Sequence, residues 1–151
     1  MLENALSELE AWHENGLDIA LSVNVSSHEA KQESFPLYLK ELLAKRPAIK
    51  SNMLELEILE TSAFENFELT SEILKECQAL GLSIAIDDFG TGYASLHYLK
   101  KLPMNTLKID KSFVIDLLTS SQNISIVEAS IGLASAFHSR AVAEGGRNDR
   151  A

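Results

Sequence analysis

Two periods alternate along this chain, and that alternation constrains its fold more than any other feature. Residues 19–25 (IALSVNV), 54–58 (LELEI), 83–87 (SIAID), 106–110 (TLKID) and 141–144 (AVAE) are short, rich in branched aliphatics and broadly alternate apolar with polar, as strands do. Between them lie segments with helical spacing. Leu2, Ala5, Leu6, Leu9 and Trp12 form one stripe over residues 2–15, with Gly16 as the stop. A helix over 35–45 has Pro36 near its start and Pro47 past its end. Further helices are predicted over 68–80, closed by Gly81, over 94–101 as a short piece, and over 123–138. Strand, helix, strand without interruption predicts βαβ units and a parallel sheet, an α/β fold. The two architectures to weigh are an open doubly wound sheet and a (β/α) barrel. No G-x-G-x-x-G follows the first strand, so a dinucleotide fold has little support.

With 151 residues and 46% hydrophobic content, the chain has material for one soluble domain with a core. No apolar run approaches the roughly 20 residues a bilayer requires. The opening Met1-Leu2-Glu3-Asn4 lacks the pattern of a secretory leader. Cys77 is the sole cysteine and is expected to be a reduced thiol in a helix face. A cytoplasmic location is the expectation. The net charge of −9 argues against DNA as a partner, yet it suits a phosphate ligand held through divalent cations. Glu65, Glu68 and Glu72 are assigned to a solvated acidic surface.

Polar residues gather at the C-terminal end of each predicted strand: Asn24 and Ser26, Glu57 and Glu60, Asp87 and Asp88, Lys108 and Asp110, and Glu144. Barrel enzymes build their sites on that face. The strand period of two directs Asn24, Glu57, Asp87 and Lys108 inward, while Leu54, Leu56, Ile58, Ile84, Ile86, Leu107 and Ile109 face the helices. Buried charges need partners or metals. The oxygen donors suit Mg²⁺ or Mn²⁺, and adjacent Asp87 and Asp88 could serve two ions in phosphoester hydrolysis. Lys108 either contacts an attacking water or phosphate oxygen or forms an internal salt bridge with Glu57 or Asp87; spacing leaves both open. The loop Asp88–Ser95, with Gly90, Thr91 and Gly92, gates the site, binds phosphate at a helix N-terminus, or is simply a βα turn. His13, His28, His97 and His138 lack ligand spacing.

The segments LSVNVSS, LELEILETS, GLSIAIDDFGTGYASLHYLKKLP, LKIDKSFV and AVAEG resemble, in order, successive motifs of the EAL domain family, and they cover nearly the whole chain. The resemblance implies a modified TIM-type (β/α) barrel, of which residues 1–146 supply roughly five of eight βα units and 147–151 form a short tail unlike the family. It implies metal-dependent hydrolysis of the bacterial second messenger cyclic di-GMP to linear pGpG, with two Mg²⁺ or Mn²⁺ ions. In that scheme Asn24, Glu57 and Asp87 hold one metal. Asp87 bridges to a second, which Asp88 also holds. Lys108 positions the hydrolytic water, and Glu144 serves the second metal or acts as general base. Glu60 braces the loop carrying Gly90, Thr91 and Gly92, and the 89–100 region mediates self-association or dimerisation.

Departures from the family pattern bear on activity. The family's name-giving Glu-Ala-Leu segment, whose Glu completes the first metal's ligands, belongs to a strand earlier than any found in this sequence. Leu59 stands where the family commonly has Thr, and Arg147 replaces a carboxylate near the second metal. Two other readings follow: a cyclic di-GMP-binding module that does not cleave, and a vestigial truncated product. A partial barrel is expected to expose strand edges and to be unstable alone, self-associating, or completed by another chain.

Overall fold

The structure, a computed structural model, describes residues 1–92 and 95–145. Five strands form one sheet: β1 (Leu21–Asn24), β2 (Leu54–Leu59), β3 (Ser83–Phe89), β4 (Thr106–Ile109) and β5 (Arg140–Ala143). Their spatial order is β1-β2-β3-β4-β5 and every neighbouring pair is parallel. A doubly wound sheet reverses its order at a switch point. This sheet runs in one direction throughout, as a barrel wall does.

Helices make each crossover: α1 (Leu2–Glu14), α2 (Phe35–Ala44), α3 (Glu60–Glu65), α4 (Phe67–Ala79), α5 (Leu96–Leu99), α6 (Lys111–Ile115) and α7 (Ser121–Ala136). Leu6, Leu9, Leu39, Leu42 and Leu74 from these helices are fully buried against Leu54, Leu56, Ile58, Ile84, Ile86 and Leu107 of the strands. The aliphatic strand face therefore packs on helices, and the polar face is left for the site. Each such leucine contributes roughly 1.5–3 kcal/mol of transfer free energy. Among the described residues, no helix is long and apolar enough to cross a membrane.

The boundaries differ from the sequence reading in instructive ways. The first strand begins at Leu21, because Leu17 and Ile19 remain exposed. Its ladder runs one residue beyond β1, where Val25 N–H donates to Glu57 C=O at 2.8 Å. Ser26 and Glu29 then form a reciprocal capping box: Glu29 N–H donates to Ser26 Oγ, and Ser26 N–H donates to Glu29 Oε2. The Ser26 hydroxyl and backbone bonds hold the Glu29 carboxyl below its usual value. The long helix starts two residues early, at Ser121, because the Ser120 side chain accepts from Asn123 N–H. Helices α3 and α6 are too short for periodicity to reveal. The short helix expected over 94–101 is Leu96–Leu99; Tyr93 and Ala94, with the tail 147–151 and its Arg147, lie outside the described residues.

At the far edge, all four residues of β5 are exposed, and Ile124 and Ile131 of α7 face solvent. The opposite situation holds for Cys77, which is fully buried on α4. Burial pushes its thiol up to about 12. Because the thiolate is the reactive form, the native chain should resist a disulfide reagent at pH 8 and react at the rate of its own unfolding. Fast labelling in the absence of denaturant would contradict this packing.

Candidate metal centre

The site is built at the C-terminal ends of the strands. Glu57 is third from the end of β2, in register with Asn24 on β1. Lys108 comes from β4 and Glu144 directly follows β5. Glu144 N–H donates to Ile109 C=O at 3.1 Å, which continues the ladder and carries its side chain to the rim. Lys108 Nζ lies 2.9 Å from Glu57 Oε1, 3.4 Å from Asp87 Oδ1 and 2.6 Å from Glu144 Oε1. One ammonium thus joins carboxylates from three different parts of the chain. Both ion pairs foreseen as alternatives are formed, together with a third to Glu144.

Burial by itself would lower the Lys108 pKa. The hydrogen bonds to Glu144 and Glu57 and the charges of Glu57 and Asp87 outweigh it and hold the ammonium above the usual lysine value. Lys108 is therefore protonated at neutral pH, a hydrogen-bond donor and not a base.

Asp87 and Asp88 are neighbours on a strand and should point to opposite faces. A shift of register between Ile86 and Phe89 changes that. Asp88 adopts a left-handed backbone, φ 55°, a conformation Asp tolerates better than most residues, and its N–H donates to Asp87 Oδ1 at 2.9 Å. This irregularity re-aims the side chain, as bulges beside active sites do. Asp87, Asp88 and Glu144 consequently each offer a carboxylate oxygen within 4.8 Å of the others.

Burial, then the Asp87 charge and a hydrogen bond with Asp110, raise the Asp88 carboxyl above its ordinary value. Asp110 is held low, chiefly by the Ser112 hydroxyl, and its Oδ1 also accepts from Ser112 N–H as the cap of α6. Sequence reasoning noted Asp110 as a strand-end polar residue but gave it no place in the site. Its signal was the cap position before Ser112.

Glu60 opens α3 and is 2% exposed. Its Oε2 accepts from Gly90 N–H at 2.9 Å and Gly92 N–H at 3.2 Å. A Cβ on Gly92 would stand 3.0 Å from the Glu60 carboxylate, and one on Gly90, at φ 99°, 2.9 Å from the Phe113 ring. Gly92 thus admits the Glu60 carboxylate, and Gly90 admits the Phe113 ring at a positive φ that favours glycine. The Thr91 hydroxyl closes the turn on Asp88 C=O at 2.8 Å. Helix α5 is a single turn, so phosphate binding at its N-terminus has little dipole behind it.

Sequential parallel strands with an acidic cluster at their C-terminal rim define a (β/α)-barrel wall carrying a candidate metal centre. The family model for the EAL domain matches residues 1–149, and the chain belongs to that family. It is 32% identical over 148 residues to the signaling protein YkoW of Bacillus subtilis, covering 98% of this chain and 18% of that protein. It is 34% identical over 145 residues to the cyclic di-GMP phosphodiesterase PdeA of Borreliella burgdorferi, covering 95% of this chain and 21% of that protein. The chain thus spans about a fifth of these curated relatives. A solved PaMucR phosphodiesterase in complex with c-di-GMP superposes with a TM-score of 0.91 at 33% identity, over 98% of this chain and 60% of that one. The EAL domain of Mycobacterium smegmatis DcpA gives 0.90 at 37% identity, over 99% and 67%. The sheet is accordingly part of a TIM-type barrel.

Replacing Glu60 with Ala should strand the Gly90 and Gly92 amides and lower stability by about 1–3 kcal/mol. Hydrogen exchange should accelerate at those two amides beyond the global change. Unchanged exchange there would show that Glu60 does not hold the loop.

Proposed function

We propose that this chain carries part of the active site of a cyclic di-GMP phosphodiesterase, hydrolysing the cyclic dinucleotide to linear pGpG. The observation that carries the reading is Lys108 in ion pairs with Glu57, Asp87 and Glu144, beside the Asp87–Asp88–Glu144 cluster. Support comes from relatives named as phosphodiesterases and from a neighbour solved as a c-di-GMP complex.

The cluster's donors are carboxylate oxygens, which fit hard divalent cations such as Mg²⁺ or Mn²⁺. The raised Asp88 carboxyl, crowded by Asp87, is a group that a cation would relieve. Asn24, Glu57 and Asp87 would hold one ion, and Asp87, Asp88 and Glu144 would hold a second. Such ions would supply Lewis-acid polarisation of the phosphodiester and a more acidic water. Lys108, fixed as a cation, donates to the attacking water and orients it. Glu144, 2.6 Å from Lys108, accepts that water's proton. The water oxygen bonds to phosphorus as one ribose P–O bond breaks; the leaving oxygen takes a proton from solvent, and Glu144 returns to solvent the proton it accepted. Glu60 acts at a distance by holding Gly90 and Gly92.

The exposed Leu96 and Tyr98, next to the loop that Glu60 holds, support self-association through the 89–100 region. A buried free thiol at Cys77 suits a reducing, cytoplasmic compartment.

The test is incubation with cyclic di-GMP and Mn²⁺, with pGpG resolved by chromatography. Asp87→Asn should abolish turnover, and Glu144→Gln should slow it by roughly 10²-fold or more. Folded protein that binds the dinucleotide without forming pGpG would replace hydrolysis with the binding-module reading. Folded protein that does neither would refute both.

A further inference from the structure

Below the rim, the same inward face carries a second polar tier. Ser22, Glu55, Thr106 and Arg140 occupy it, one strand each on β1, β2, β4 and β5, and Glu55 is in register with Ser83 on β3. Ser22 Oγ donates to Glu55 Oε1 at 3.0 Å. Thr106 Oγ1 donates to Glu55 Oε2 at 2.8 Å. Arg140 Nη2 donates to the same Oε2 at 3.3 Å and to Thr106 Oγ1 at 3.1 Å. Because Arg140 donates to the Thr106 hydroxyl, that hydroxyl's proton is left for Glu55. The Glu55 side chain is 12% exposed and Thr106 2%, so the bond between them is made largely out of water, where losing one partner is costly; Ser22 and Arg140, the latter 73% exposed, close the tier from the solvent side.

The reach from β2 to β4 passes over β3. It is possible because the β3 residues at this height, Ser83 and Ala85, are small. Layers drawn from alternate strands are the packing rule of barrels. Three tier members lie two residues below a site residue on their own strand, Ser22 below Asn24, Glu55 below Glu57 and Thr106 below Lys108, and Arg140 lies four residues before Glu144, which follows β5.

We infer that Glu55 is a positioning residue for the rim site: its carboxylate ties β1, β4 and β5 to β2 and so sets the spacing at which Glu57 and Glu144 meet Lys108. The inference rests on the proposed function for its catalytic meaning, but its geometric content does not. Among the described residues the tier's hydrogen bonds run to one another and none runs to Glu57, Lys108 or Glu144, so Glu55 acts through the strands that carry Lys108 and Glu144.

The test is therefore a readout of Lys108 itself. The ¹⁵Nζ and ¹³Cε resonances of Lys108, assigned by their loss in Lys108→Met, report the ion pairs without metal or substrate. In Glu55→Ala they should move toward the values of the exposed lysines, and Mn²⁺ affinity should fall by roughly tenfold, the lower end of what loss of a group supporting metal ligands costs. Ile73→Ala, a buried change in α4, controls for lost stability and should leave both unchanged. Should Glu55→Ala not fold, Arg140→Gln removes the exposed end of the tier and should shift the same resonances in the same direction by less. Resonances unmoved in the folded tier variant, or moved equally by Ile73→Ala, would overturn the inference and leave Glu55 a structural residue. Absence of pGpG formation in the parent chain would refute the hydrolytic reading while leaving this result standing.

Discussion

The Lys108 ammonium is the interaction on which the upper end of the sheet depends. Glu57, Asp87 and Glu144 converge on it from β2, β3 and the end of β5. Without a cation among them, these carboxylates would repel one another in a half-buried setting, and either the strands would spread or the groups would take up protons. Lys108 is placed for this by the strand period alone, one residue after Leu107, which is fully buried on the helix side. Hydrophobic burial on one face thereby fixes a charge on the other.

Much of this was legible in the sequence because it follows from period. Leu54, Leu56 and Ile58 name the helix-packed face of β2, so Glu57 has to point inward. The same reasoning places Asn24, Asp87 and Lys108, and the parallel sheet follows from strands that alternate with helices. Asp88 was harder. Strict alternation sends it to the opposite face, and the left-handed backbone that returns it to the site is a local irregularity no pattern announces. Helices α3 and α6 are about one turn each, too short to show a stripe. Asp110 hid behind its second role as a cap. Glu55 shares the strand parity of Glu57 and so faces inward, but its partners lie 33 to 85 residues away in sequence, a distance at which spacing carries no information.

The motif-level resemblance and the physical reading agree because they describe the same constraint. A family motif such as Asp87-Asp88-Phe89-Gly90-Thr91-Gly92 combines two carboxylates aimed at one site, an apolar anchor that is buried, and two glycine amides that bond Glu60, with Gly92 leaving room for its carboxylate. Leu59, which stands where the family commonly has Thr, is 43% exposed. It lies in register with Asp87, and a polar residue is not needed there for the contacts just described.

The two tiers on the inner face differ in what they leave open. Below, Glu55 accepts from a serine, a threonine and an arginine, so its charge is met by donors within the tier. Above, three carboxylates share one ammonium, an excess of negative charge that Asp88 increases; burial, then the Asp87 charge, pushes the Asp88 carboxyl up. Charge that is satisfied makes a brace, and charge that is in excess makes a binding site. The small residues of β3, Ser83 and Ala85, let the lower tier close across the sheet, whereas Asp87 at the upper level of the same strand joins the excess. One strand thus separates the two functions by side-chain size and charge at positions two and four residues apart.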